Sequence, residues 1–116
     1  MSKILVTGAS GFIGRALTSR LKVAGWDVAP LDSAVGDIAR TETLGSFLPQ
    51  DIAHVFHLAG KTFVPDSWND PQAFCRTNVL GTVNVLEFCR KKRILTIQGI
   101  FQRWLRPTFF RTKDSR

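Results

Sequence analysis

The spacing of apolar residues changes several times along the chain. Ile4, Leu5 and Val6 form an unbroken apolar run, the pattern of a parallel strand covered on both faces. Ile13, Leu17, Leu21 and Ala24 then recur at helical spacing, and Gly25 follows as a stop signal, which predicts a helix. Val28 to Leu31 is a second strand-like run, closed by Asp32. The stretch from Ser33 to Ile38 is too short for a full helix and reads as a turn with an abbreviated third strand ending at Asp37. Thr41 to Leu48 predicts a short helix capped by Thr41, with Leu44, Phe47 and Leu48 inward and Pro49 beyond its end. Ala53 to Ala59 is a fourth strand, and Ile94 to Ile97 is a candidate fifth.

Between the last two lies a long helix, Pro71 to Arg90, about 30 Å in length, with Asp70 as N-cap and Pro71 at the tolerated first position. Phe74, Asn78, Gly81, Val85 and Phe88 share one face of it, so Asn78 is a polar residue on an apolar stripe. Such an amide either hydrogen-bonds a neighbouring backbone or holds a water near a site. Gly81 within the helix costs about 1 kcal/mol against Ala, which predicts close packing with another element.

Alternation of strands and helices predicts an α/β fold with a parallel sheet and right-handed crossovers, in the partial order 3-2-1-4. The switch point then falls between the first and fourth strands, where a ligand meets both the first turn and the residues just after Leu58. That first turn carries three glycines. Gly8 lets the chain leave the strand tightly, Gly11 removes a side chain that would keep a phosphate from backbone N–H groups, and Gly14 lets the helix approach the sheet. The product is an anion site at a helix N-terminus. Asp32 lies about twenty residues further on, where an acidic residue holds a ribose diol in dinucleotide sites. A purely structural tight turn is the alternative.

Composition narrows the class. The 116 residues suit one domain, and no apolar run is long enough for a membrane span or signal segment, so a cytoplasmic protein is expected. Cys75 and Cys89 stand roughly 21 Å apart on one predicted helix, beyond disulfide reach. The net charge of +7 is unevenly placed. Residues 1–90 hold eight basic and eight acidic residues, whereas residues 91–116 hold eight basic residues against Asp114 alone. Arg103 to Arg111 mixes aromatic and basic side chains, a pattern that suits a polyanion or membrane surface, packing or self-association, or a terminus without selected function.

From Lys3 to about Arg90 the chain resembles the extended short-chain dehydrogenase/reductases, in particular the NAD-dependent epimerases and dehydratases acting on nucleotide sugars. The resemblance is carried by Thr7-Gly-Ala-Ser-Gly-Phe-Ile-Gly14, Asp32, Gly36-Asp-Ile38, His57-Leu-Ala-Gly60, Ser67, Pro71 and Thr77-Asn-Val-Leu-Gly-Thr82. It implies a Rossmann-type doubly wound sheet, incomplete in this chain, with NAD as cofactor. Phe12 and Ile13 would offer backbone N–H groups to the pyrophosphate, Asp32 would bind the adenosine ribose, and Asp37 and Ile38 would hold the adenine. Leu58, Ala59, Gly60 and Lys61 would lie on the nicotinamide side, with Asn78 on the helix behind them. Asp32 favours NAD over NADP, because a carboxylate accepts from a free 2′-hydroxyl and repels a 2′-phosphate.

The family's acid/base pair, a Tyr with a Lys four residues later, has no counterpart, since the chain contains no tyrosine. Gln98-Gly99 occupies the place of the catalytic Ser, and Thr96 is a conceivable substitute for its hydroxyl. His57 could in principle transfer protons, although a lone His at a strand end is more often packed or hydrogen-bonded. The expectations are therefore an NAD-binding domain over residues 1–98 followed by a tail over 99–116, and the N-terminal part of a truncated epimerase or dehydratase. No catalytic residue, no metal and no turnover of nucleotide sugars are expected of it. Nucleotide sugars would be partners of the full-length family only, nucleic acid is not expected, and the unpaired sheet edge predicts self-association. The alternative is a non-enzymatic interaction module acting through the basic tail.

Overall fold

A computed structural model describes residues 2–61, 64–95 and 97–99. The apolar runs become strands β1 (Lys3–Thr7), β2 (Asp27–Leu31), β3 (Ile52–His57) and β4 (Ile97–Gly99). They form one sheet in the order β2-β1-β3-β4, with every pairing parallel. The connections carry α1 (Phe12–Val23), α2 (Thr41–Gly45) and α3 (Val64–Asn69), then a longer helical stretch. That stretch is α4 (Pro71–Cys75), a π-helical turn (Arg76–Leu80) and α5 (Gly81–Lys92).

The two faces of the sheet are closed to different degrees. On one, Leu5, Ala29, Leu31 and Val55 pack against Ile38, Leu44, Phe47, Val85 and Phe88 in a buried cluster. On the other, Ile4, Val6 and Ala9 are buried beneath α1, while Leu17, Leu21, Phe56 and Leu58 are only partly covered. Gly81 packs as its sequence context predicts, since a Cβ there would stand 2.7 Å from Ile38 Cγ2. Cys89 is buried and Cys75 exposed, both as free thiols. Burial pushes the Cys89 thiol up to about 11, which leaves it an apolar core group.

Several expectations need correction. No third strand forms between Ser33 and Ile38. The N–H groups of Val35 and Gly36 turn back to the Asp32 carbonyl at 3.0 and 3.3 Å, so this segment is spent on a turn and cannot reach the sheet edge. The anticipated fourth strand is therefore β3. Thr41 is the first residue of α2 and Arg40 its N-cap, with no side-chain cap bond. Leu44 and Phe47 are buried as expected, but Leu48 is 40% exposed because α2 stops at Gly45. Ile13 and Ala24 are exposed, leaving Leu17 and Leu21 to hold α1 to the sheet. The last strand begins at Ile97, since the Ile94 N–H bonds to the Cys89 carbonyl at 2.9 Å and closes α5 instead.

Other signals hold. Asp70 caps α4 by accepting from the Ala73 N–H at 3.1 Å, with Pro71 in the first turn. Gly25 ends α1 with its N–H on Lys22 and that of Trp26 on Leu21. The same pair of bonds ends α5 at Arg93, which takes the left-handed conformation (φ 55°) without being glycine. No described helix is long and apolar enough to cross a membrane. Thr96 and residues 100–116, including the basic aromatic tail, lie outside the described residues.

Candidate functional site

A cleft of about 390 Å³ opens at the carboxyl ends of β1, β2 and β3. Its floor is the turn after β1. Gly8 has φ 67°, and a Cβ on it would meet the Ala59 nitrogen at 2.7 Å, so only glycine passes there without displacing the end of β3. A Cβ on Gly14 would stand 2.0 Å from the Gly8 carbonyl oxygen. The first turn of α1 is thus seated directly on the loop, and its free N–H groups begin at the cleft's edge. Gly11 is the N-cap in extended conformation, with no side chain competing for those groups. The side chain of Phe12 is 96% exposed and that of Ile13 is exposed, and neither residue lines the cleft.

Among the nominated residues, Gly8, Asp32, Asp37, Ile38, Ala59, Gly60 and Lys61 line the cleft. Gly11, Phe12, Ile13 and Gly14 shape the turn and helix start beside it. Leu58 lies in the apolar layer under α1, and Asn78 reaches the cleft through Lys61. Asp32 commits one carboxylate oxygen to its own loop, accepting from the N–H of Ala34 at 3.0 Å and Val35 at 3.3 Å. Asp37 does likewise with Ala39 at 2.9 Å. The loop between them is held down by Thr43, whose hydroxyl donates to the Asp37 carbonyl at 2.5 Å.

The opposite wall depends on side chains. Asn78 Oδ1 accepts from the Lys61 N–H at 2.7 Å and its Nδ2 donates to the Lys61 carbonyl at 2.8 Å. Of the two alternatives for this amide, the backbone bond is the one formed. It sits in the π-helical turn, a local distortion often found near sites. His57 is buried, with Nδ1 2.7 Å from Thr7 Oγ1 and Nε2 3.1 Å from Thr82 Oγ1. Desolvation lowers its pKa from 6.5 to about 4, so the ring is neutral at physiological pH. The packed and hydrogen-bonded reading of His57 is the one realised.

Ser10, Leu31, Ser33, Gly36 and Thr77 also line the cleft, although none of them was nominated as a site residue from the sequence. All were within reach, since Ser10, Gly36 and Thr77 stand inside the stretches that carry the family resemblance and Leu31 and Ser33 flank Asp32. Sequence reasoning also missed Asn84, buried on α5, whose Nδ2 donates to the Ile38 carbonyl at 3.0 Å and so holds a cleft residue from behind. Its place one turn beyond Gly81 on the inward face was the available signal. Among the described residues no group of three or more His, Cys, Asp or Glu could hold a metal ion.

The sequence family described as NAD dependent epimerase/dehydratase matches residues 4–99. The chain is 37% identical over 87 residues to the GDP-6-deoxy-D-mannose reductase of Pseudomonas aeruginosa, covering 73% of this chain and 28% of that protein. It is 34% identical over 110 residues to a UDP-glucose 4-epimerase of Mycolicibacterium smegmatis, covering 76% of this chain and 34% of that one. Among solved structures, the UDP-glucose 4-epimerase of Thermus thermophilus in complex with NAD is similar at a TM-score of 0.75 and 32% identity. That match covers 82% of this chain and 36% of the other. The chain thus spans about a third or less of the length of the relatives it matches.

Proposed function

The chain belongs to the NAD dependent epimerase/dehydratase family, and we propose that its cleft binds NAD, with the pyrophosphate at the α1 N-terminus and the adenosine ribose on Asp32. The observation that carries this reading is the bare backbone cradle: a Cβ at Gly8 or Gly14 would collide with main-chain atoms, and no side chain caps α1. Backbone N–H groups at such a helix start suit a diphosphate. Asp32, across the same cleft, keeps its second carboxylate oxygen for a ribose hydroxyl after the first has been used by Ala34 and Val35. Ile38 and Asp37 would flank the adenine, and Ala59, Gly60 and Lys61 would line the nicotinamide side.

When bound, NAD supplies a hydride acceptor. What the chain's own residues do is bind and orient it. The sequence holds no tyrosine and so no counterpart of the family's proton-transfer pair, and the role proposed for its own residues is cofactor binding. In the whole protein the substrate would be a nucleotide sugar, the class named in the relatives above.

Calorimetric titration with NAD and NADP tests the reading. NAD should bind in preference to NADP. Asp32→Asn, which keeps an acceptor for Ala34 and Val35 but loses the charge, should weaken NAD by about 1 to 3 kcal/mol. Equal affinity for the two cofactors, or no binding by folded protein, would contradict it.

A further inference from the structure

Beneath the cleft, Thr7 and His57 are both at least nine-tenths buried, and their hydrogen-bond partners leave little freedom for protons. Thr7 Oγ1 is approached by the N–H groups of Leu58 at 3.0 Å and Ala59 at 3.1 Å, and lies 2.7 Å from His57 Nδ1. An N–H can only donate, so the two amides occupy the oxygen's lone pairs and the hydroxyl proton goes to Nδ1. The Leu58 N–H is shared with the Thr7 carbonyl at 3.2 Å, which does not alter the assignment because a carbonyl only accepts. At the other end, Thr82 Oγ1 is 2.6 Å from the Asn78 carbonyl and must spend its proton there. It can then only accept from His57 Nε2, 3.1 Å away. Two ends with separate partners require the same ring, unprotonated at Nδ1 and protonated at Nε2.

We propose that His57 is a positioning residue locked as the neutral Nε2–H tautomer. The proton-ordered chain through Thr7, His57 and Thr82 ties the Leu58 and Ala59 amides to the Asn78 carbonyl. Asn78 in turn clamps both backbone groups of Lys61. The segment from Leu58 to Lys61 is therefore held at both ends, and the stretch of it that lines the cleft is set by a ring that does not itself line it. Filled lone pairs on Thr7 leave no acceptor for a proton on Nδ1, so the other tautomer would force the hydroxyl proton and the ring proton against each other. For its effect on affinity, though not for the tautomer, the inference rests on the cofactor reading above.

The test is nitrogen-15 NMR of the full chain with labelled histidine at neutral pH, joined to amide hydrogen exchange and NAD titration. A protonated Nε2 and unprotonated Nδ1 at His57 are expected in the wild type and in Thr82→Val, because Thr7 alone suffices to fix the tautomer. Thr7→Val should keep the Nε2–H tautomer, which Thr82 still requires, but show about tenfold faster exchange at Leu58 and Ala59 with weaker NAD binding, whereas Thr7→Ser should preserve tautomer, exchange and affinity; mixed tautomers are expected only when both the Thr7 and Thr82 hydroxyls are removed. A protonated Nδ1 in the wild type overturns the proposal, as does loss of the tautomer in Thr7→Ser or unchanged exchange in Thr7→Val. Should Thr7→Val fail to fold, the wild type, Thr7→Ser and Thr82→Val decide the matter. An Nε2–H ring in a folded chain that does not bind NAD would refute the cofactor reading while supporting the tautomer.

Discussion

On its β1–β2 side the cleft is shaped by how closely bare backbone can pass, whereas on its β3–α5 side it is shaped by side chains exchanging hydrogen bonds. Gly8 and Gly14 sit on the first side, where one added carbon would overlap main-chain atoms. His57, Thr82 and Asn78, with Thr7 reaching across from the end of β1, make the second, where every proton has an assigned acceptor. A wall made of backbone fails by steric overlap and is indifferent to pH. A wall made of neutral hydrogen bonds tolerates modest changes of shape but is disturbed by one extra proton.

The largest effect should come from filling the backbone wall. A methyl group on Gly14, 2.0 Å from the Gly8 carbonyl, cannot be relieved by moving a side chain. Gly14→Ala should therefore cost about 4 kcal/mol or more, or prevent folding. Gly45, with nothing within 4 Å of its virtual Cβ, is the control: Gly45→Ala should stabilise by about 0.5 to 1 kcal/mol. Denaturant midpoints for the two variants set the contrast.

Acid should act on the other wall. His57 titrates near 4 when folded and near 6.5 when unfolded, so the unfolded chain binds more protons between these values. Stability is then complete above about pH 6.5 and falls as the pH drops toward 4, by about 3 kcal/mol from this residue. His54, lowered in the same direction by burial, adds to the slope. Unfolding free energies measured across that range should lose His57's share in His57→Gln, and a slope equal to wild type would contradict the assignment.

The difference between the walls also explains what could be read from the sequence. Glycines at 8, 11 and 14 advertise a backbone constraint by residue type alone, and the acidic residue at 32 follows at a fixed interval. The helix stripe located Asn78 and Gly81, but not the π-helical turn, since no residue type encodes an extra residue in a helical turn. His57 could be seen as a candidate without its role being legible, because Thr7 and Thr82 reach it from 50 and 25 residues away. The third strand was read into a segment whose fate is decided by Asp32 capping its own loop. Residue type favoured neither outcome there.

A further small effect is expected away from both walls. Gly25 and Arg93 end their helices with the same hydrogen-bond pair, yet only Arg93 bears a Cβ in left-handed conformation. Arg93→Gly should stabilise the chain by about 1 kcal/mol in thermal or denaturant unfolding, with NAD affinity unchanged. A destabilised variant would mean that the Arg93 side chain contributes more than its backbone conformation costs.

The claim that one ligand spans both walls is tested most directly by following backbone amide resonances of the labelled chain as NAD is added. The account predicts shifts at the Gly8–Gly14 turn, at Asp32 to Ile38 and at Ala59 to Lys61 with a common binding curve, and little change on the outward side of α5. Shifts confined to one wall, separate curves for the two, or perturbation centred away from the β-strand ends would contradict it.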